Sequence, residues 1–223
     1  LEISKNTALY SEWMNQWPVL FLSFKDVDGN CFENAYEMLK FALSQACITH
    51  TYLQQDPKID DTFQKKFSAL KDQTASLQEV KTSILILMQM MRDHYGKPVI
   101  LLIDEYDVPI AKASAKGYYP EMLEVIKGLM STALKDNDAL RFAVITGCLR
   151  IAKESIFTGT NNFVSDTISS SHLNESFGFT QADIDQILKD ADCLEHAADI
   201  KNWYDGYHFG DLDVYCPWDV MNY

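Results

Sequence analysis

Val99-Ile-Leu-Leu-Ile-Asp104-Glu105-Tyr106-Asp107 is the stretch on which the reading of this chain turns. Five consecutive apolar residues lie between Pro98 and a run of charge. That is the pattern of a short strand buried on both faces, not of a half-exposed strand with alternating polarity. Strands of this kind belong to parallel sheets flanked by helices, in which ligands sit beyond the carboxyl ends of the strands. Two adjacent carboxylates delivered to that rim are placed to hold a magnesium ion, through water, on Asp104 and to polarise an attacking water with Glu105. The same pair also suits a plainer role, capping the next helix or facing solvent, and an apolar run ending in Asp-Glu recurs by chance in many α/β proteins.

Two further apolar runs flank this one. Pro18-Val-Leu-Phe-Leu-Ser-Phe24 and Leu140-Arg-Phe-Ala-Val-Ile145 both predict buried strands. Between the first and second, Ala35, Met38, Leu39, Ala42, Leu43 and Ala46 recur at helical spacing. A shorter helix is predicted over 61–71. Ser76 and Glu79 then form a capping box for a long helix whose stripe is Leu77, Val80, Ile84, Leu87, Met88 and Met91, ended by Gly96. Between the second and third strands Pro120 opens a helix at its first position, with Met122, Val125, Ile126, Leu129 and Ala133 on one face. Alternation of strand and helix predicts an α/β fold, a three-layer parallel sheet with helices on both faces and right-handed crossovers. A weaker strand is expected over 163–168. Thr180 and Asp183 cap a helix, a second short helix leads into Trp203-Tyr-Asp-Gly-Tyr-His-Phe-Gly210, and the last ~50 residues read as a small helical subdomain. The expected division is 1–172 for the core and 173–223 for that subdomain.

The third strand ends in Thr146-Gly147-Cys148-Leu149-Arg150. A hydroxyl beyond the end of a neighbouring strand can orient water or sense a γ-phosphate, and Arg150 or Lys153 can stabilise charge developing on it. Alternatively Thr146 starts a turn and Arg150 is a solvated helix residue. Tyr106 and Asp107 could contact a substrate or the nucleotide, but burial or turn formation is the favoured reading. Met88, Met90 and Met91 are explained by core packing, His208 has no second ligand at metal spacing, and Trp203, Tyr204, Tyr207 and Phe209 are expected to pack the small subdomain onto the core. No GxxxxGK[ST] loop occurs. The sole Gly-Lys, Gly96-Lys97, precedes Pro98, which lacks a backbone donor and enters a strand.

Taken in order, Pro18 to Lys25, Lys97-Pro-Val-Ile-Leu-Leu-Ile-Asp-Glu-Tyr-Asp-Val-Pro109, Thr146-Gly-Cys-Leu-Arg-Ile-Ala-Lys153 with Ser155-Ile-Phe157 and Asn161-Asn-Phe163, Phe177-Gly-Phe-Thr180, and Trp203 to Gly210 with Val214-Tyr-Cys-Pro-Trp218 resemble the AAA-ATPase-like family of predicted ATPases. Members are found mostly in bacteria and often carry a nuclease-like domain after the ATPase. The resemblance implies a P-loop NTPase-like fold that uses ATP and Mg2+. It places Asp104 at the Walker B magnesium position, Glu105 at the catalytic carboxylate and Thr146 at the sensor. Arg150 and Lys153 match a basic pair after that strand. The family's phosphate-binding loop, an arginine-rich segment ending in Gly-Lys-Ser, has no counterpart here, nor does the nuclease-like domain.

A hydrophobic content of 47% is ample for a core and argues against disorder. The net charge of -13 repels a phosphate backbone, so direct nucleic-acid binding is not expected. Five scattered cysteines without a CxxC pair suggest neither a disulfide framework nor zinc and fit a reducing cytoplasm. No apolar run approaches membrane-spanning length, and the first residues do not form a signal peptide. Both ends read as cut, which places the phosphate loop before Leu1 and makes a downstream nuclease-like domain an expected partner; an oligomer is compatible with the sequence. Three functions compete: an ATPase coupling nucleotide state to an attached domain, a non-hydrolysing scaffold or regulatory module on the same fold, and a metal-dependent nuclease using Asp104, Glu105 and Lys97. The last ranks lowest, because Lys97 precedes the strand whose far end carries the carboxylates.

Overall fold

The structure, a computed structural model, describes residues 2–148 and 164–223. Three parallel strands form its sheet, β1 (Val19–Ser23), β2 (Val99–Asp104) and β3 (Leu140–Ile145), in the spatial order β1-β2-β3. All three are the apolar runs read from the sequence, and β2 is central. Register sets Leu20 beside Leu101 and Leu22 beside Ile103, so these side chains share a face, and all four are essentially fully buried. Each such side chain withdrawn from water contributes roughly 1.5–3 kcal/mol.

Helices fill both crossovers. Between β1 and β2 come α2 (Phe32–Thr49), α3 (Asp61–Lys71), α4 (Leu77–Lys81) and α5 (Ser83–Tyr95), preceded by α1 (Thr7–Trp13) ahead of β1. Between β2 and β3 come α6 (Val108–Lys116) and α7 (Tyr119–Leu134). The expected capping box at Ser76 and Glu79 is formed. The helix it starts is interrupted at Thr82, however, whose hydroxyl donates to the Gln78 carbonyl and draws the chain out of the helical path. Met88, Met90 and Met91 are buried on α5. Cys47 on α2 is also fully buried, and burial pushes its thiol up to about 12. Native protein treated with a thiol reagent at pH 8 is therefore expected to label Cys31, which is exposed, and to leave Cys47 unlabelled until denaturant is added. Labelling of Cys47 at the rate of Cys31 would show that α2 opens locally.

The other face of the sheet is different. Val19, Phe21, Phe142 and Val144 stand on it at 42 to 58% exposure, in rows with Ile100 and Leu102. Among the described residues, α2, α5 and α7 pack against the sheet strands on the buried side and the expected covering of both faces is not found. The physical reason is handedness. Two right-handed crossovers stepping in one direction across a parallel sheet must lie on the same side of it. At the amino end, Arg141 is the extra residue of a bulge between β2 and β3, and its guanidinium lies over the rings of Trp13 and Trp17, at 5.8 and 5.1 Å.

Contacts divide the chain into a unit of 1–161 and one of 162–223. In the second, the capping box of Thr180 and Asp183 starts the helix Gln181–Asp190, and Ala197–Tyr204 is the second short helix. The all-helical reading is corrected by an antiparallel hairpin, β4 (Asp205–Phe209) with β5 (Leu212–Tyr215). Gly210 turns it at a φ of +61°, a backbone that a side chain would strain, and an added Cβ would also meet the Ser170 carbonyl. Residues 164–168 form no strand. Ile168 instead accepts a hydrogen bond from the Gly210 amide and props the turn. The small core consists of Ile184, Leu188, Ile200, Tyr215 and Val220, with Tyr204 against it. Trp203 is 77% exposed and does not fill it.

Candidate functional site at the carboxyl rim of the sheet

Backbone pairing continues past the formal strand ends. The Phe24 amide donates to the Asp104 carbonyl, the Thr146 amide to the Ile103 carbonyl and the Tyr106 amide to the Thr146 carbonyl. The three strand tips are therefore tied side by side. Side chains alternate along a strand, so Ser23, Asp104 and Thr146 follow Phe21, Leu102 and Val144 on the open face. They form a row of hydroxyl, carboxylate and hydroxyl across the rim. Thr146 Oγ1 donates to Asp104 Oδ1 at 2.7 Å, the short distance of a hydrogen bond to a charged oxygen. Ser23, register-paired with Asp104, has its hydroxyl 3.5 Å from Oδ2.

Glu105 directly follows β2 with a φ of +54°, in the left-handed region. For a residue with a Cβ this conformation costs on the order of 1–2 kcal/mol. The turn it begins is closed by the Val108 amide donating to the Glu105 carbonyl, and it launches α6. Asp107 is the residue before that helix and is only 2% exposed. Its carboxylate lies beneath Gly147, where an added Cβ would come within 2.5 Å of Asp107 Oδ1 and 2.8 Å of the Tyr106 ring. Gly147 is thus dictated by close approach from below. The loop leaving β1 is tied to the end of α6: Lys116 donates to Asp28 at 2.7 Å and the Tyr118 hydroxyl donates to the Gly29 carbonyl at 2.9 Å. The Lys116 ammonium, helped by the Gly29 amide, holds the Asp28 carboxyl below its usual range.

Of the residues expected from the sequence, Asp104, Glu105 and Thr146 converge on the rim, and Asp107 is close by but turned inward. Arg150 and Lys153 lie outside the described residues. Lys97 is at the other end of β2, seven residues from Asp104 and so about 22–24 Å away at strand rise, donating to the Gln16 carbonyl at 3.1 Å and lying over the Trp17 ring. The nuclease constellation is therefore not assembled. Ser23 escaped the sequence reading because it is uncharged and sits within an apolar run. A signal was present: each of the three runs closes on a small polar side chain.

The donor set suits a hard divalent cation. Asp104 Oδ1 is engaged by Thr146, while Oδ2 faces the Ser23 hydroxyl at 3.5 Å, and carboxylate with hydroxyl oxygens is the chemistry magnesium selects. A single protein carboxylate fits an ion that keeps several waters and shares its remaining positions with phosphate oxygens.

The model of a family described as predicted AAA-ATPase matches residues 1–157. An uncharacterized protein in the vnfD 5'region of Azotobacter chroococcum mcd 1 is 33% identical over 130 residues, which is 56% of this chain and 24% of that relative. The aligned part thus spans about a quarter of the curated relative. No solved structure matches.

Proposed function

The chain belongs to the predicted AAA-ATPase family, and from that premise we propose that it supplies the magnesium- and water-handling half of an ATP site, coupling nucleotide state to an attached domain. One observation carries the reading. Asp104 and Glu105 leave the central strand beside Thr146, with the Thr146 hydroxyl on Asp104. In this reading Asp104 holds the ion through water, Thr146 fixes the carboxylate and senses the γ-phosphate, and Glu105 orients and deprotonates the attacking water. The bound magnesium supplies neutralisation of phosphate charge. Arg150 and Lys153 are proposed as the cationic groups that meet charge on the transferring phosphoryl group, and Asp107 as support beneath the nucleotide.

The sheet supports a site completed from outside these 223 residues. A right-handed crossover stepping back across the sheet would put a helix on the open face, as it would from a parallel strand on the free edge of β3 that precedes β1 in sequence, which is the arrangement proposed. The order of strands then reverses at that edge, beside Thr146, and such a switch point is where open α/β sheets bind their ligands. A Gly-Lys-Ser loop on that strand would face Asp104. The three-layer arrangement expected from the sequence is proposed in this form.

The acidic chain, net -13, also fits a scaffold that binds without hydrolysing. Calorimetric titration of the complete protein with ATP and Mg2+ separates the two. Saturable heat together with phosphate release is expected; absence of any heat would leave the scaffold. Among the described residues no helix is long and apolar enough to cross a membrane.

A further inference from the structure

We propose that Ser23 is a positioning residue for Asp104, the second of two hydroxyls that hold the carboxylate in the plane a divalent cation requires. The inference rests on the cation reading of Asp104 given above and extends it to a strand that neither the spacing nor the chemistry of the Asp-Glu motif had implicated.

Three observations carry it. Register makes Ser23 the lateral neighbour of Asp104, and alternation turns both side chains to the open face. The adjoining backbones are locked by the Phe24 amide on the Asp104 carbonyl, so neither side chain can drift along its strand. The carboxylate is then flanked on both sides: Thr146 Oγ1 on Oδ1 at 2.7 Å and Ser23 Oγ on Oδ2 at 3.5 Å. The second distance is long for a direct bond between oxygens. Contacts of this kind commonly tighten only when the ligand arrives, and an ion whose water shell draws Oδ2 toward the rim needs a hydroxyl there to donate to that oxygen, or to hold a water of the shell. Hydrogen-bond partners of ligating carboxylates are worth about 10–100-fold in metal affinity when removed. The Ser23 hydroxyl also receives the Lys25 amide at 3.5 Å, which biases its own proton toward the carboxylate.

The test uses the complete protein with Mn2+ as the ion and a non-hydrolysable ATP analogue, the free Mn2+ being followed by electron paramagnetic resonance. Ser23→Ala is expected to weaken Mn2+ retention about tenfold and to raise by a similar factor the Mg2+ concentration giving half-maximal ATP turnover, while the melting temperature stays put. Ser23→Thr, which keeps the hydroxyl, is expected to restore both. If Ser23→Ala holds Mn2+ as tightly as wild type while Asp104→Ala and Thr146→Ala do not, the role assigned to Ser23 is wrong and the site stands. If Ser23→Thr is as weak as Ser23→Ala, the hydroxyl is not what matters, and the proposal also fails. Unaltered Mn2+ binding in Asp104→Ala would instead overturn the cation reading itself.

Discussion

Glu105→Gln in the complete protein is expected to lower ATP turnover by at least about a hundredfold while leaving nucleotide affinity within about twofold, the size of effect that follows loss of a positioned general base. The substitution removes the charge and the proton-accepting oxygen and almost nothing else. Gln has the same length and the same Cβ as Glu, so the left-handed backbone at this position, φ +54°, is no easier or harder to adopt. The neighbouring pair of Asp104 and Thr146 remains intact, so the ion can still be held. Phosphate release measured under multiple turnover, alongside calorimetric binding, checks both halves. A Gln variant that keeps more than a tenth of wild-type turnover would falsify the role of Glu105 and move attention to another base at the rim.

Gly147→Val is expected to damage both the fold and the site. The first carbon of any side chain at 147 would lie 2.5 Å from Asp107 Oδ1 and 2.8 Å from two atoms of the Tyr106 ring. Neither can retreat, because both residues are buried. Overpacking of this type costs about 1–3 kcal/mol, which for a chain of this size corresponds to a fall in melting temperature of roughly 2–12 °C. The chain bearing Thr146 would also be lifted from β2, breaking the 2.7 Å bond to Asp104, so turnover should fall even in protein that remains folded. Scanning calorimetry on Gly147→Ala and Gly147→Val gives the graded comparison. Equal melting temperatures for wild type and both variants would mean that the chain at Gly147 yields to a side chain without cost.

Much of this was legible in the sequence, for identifiable reasons. The three strands were legible because strands of a parallel sheet are written as largely apolar runs, and 99–103 and Leu140–Ile145, broken only by Arg141, are such runs; the exposure of Phe142 and Val144 on the open face was not legible in them. The capping box at Ser76 was legible because it is a local pattern; the break six residues later was not, since the apolar stripe runs unchanged through Thr82 and only the backbone departs. The hairpin at 205–215 escaped because its strands expose much of their length and show no clean alternation. At the rim, the position of Asp104 beside Thr146 followed from both closing their strands. Which way Asp107 faces did not, because a carboxylate after a strand looks the same in sequence whether it meets solvent or lies beneath a glycine. Ser23 was hidden because it is uncharged and sits within an apolar run, and because its pairing with Asp104 spans 81 residues of chain.

In the reading proposed above, the backbone at Glu105, φ +54°, sets stability and activity against each other at one position. Glycine adopts that conformation freely and asparagine nearly so, so a library at this codon sorted only for thermal resistance should enrich both. The Gly and Asn clones would lack the carboxylate, so in that reading the most robust versions of this protein would be the inert ones.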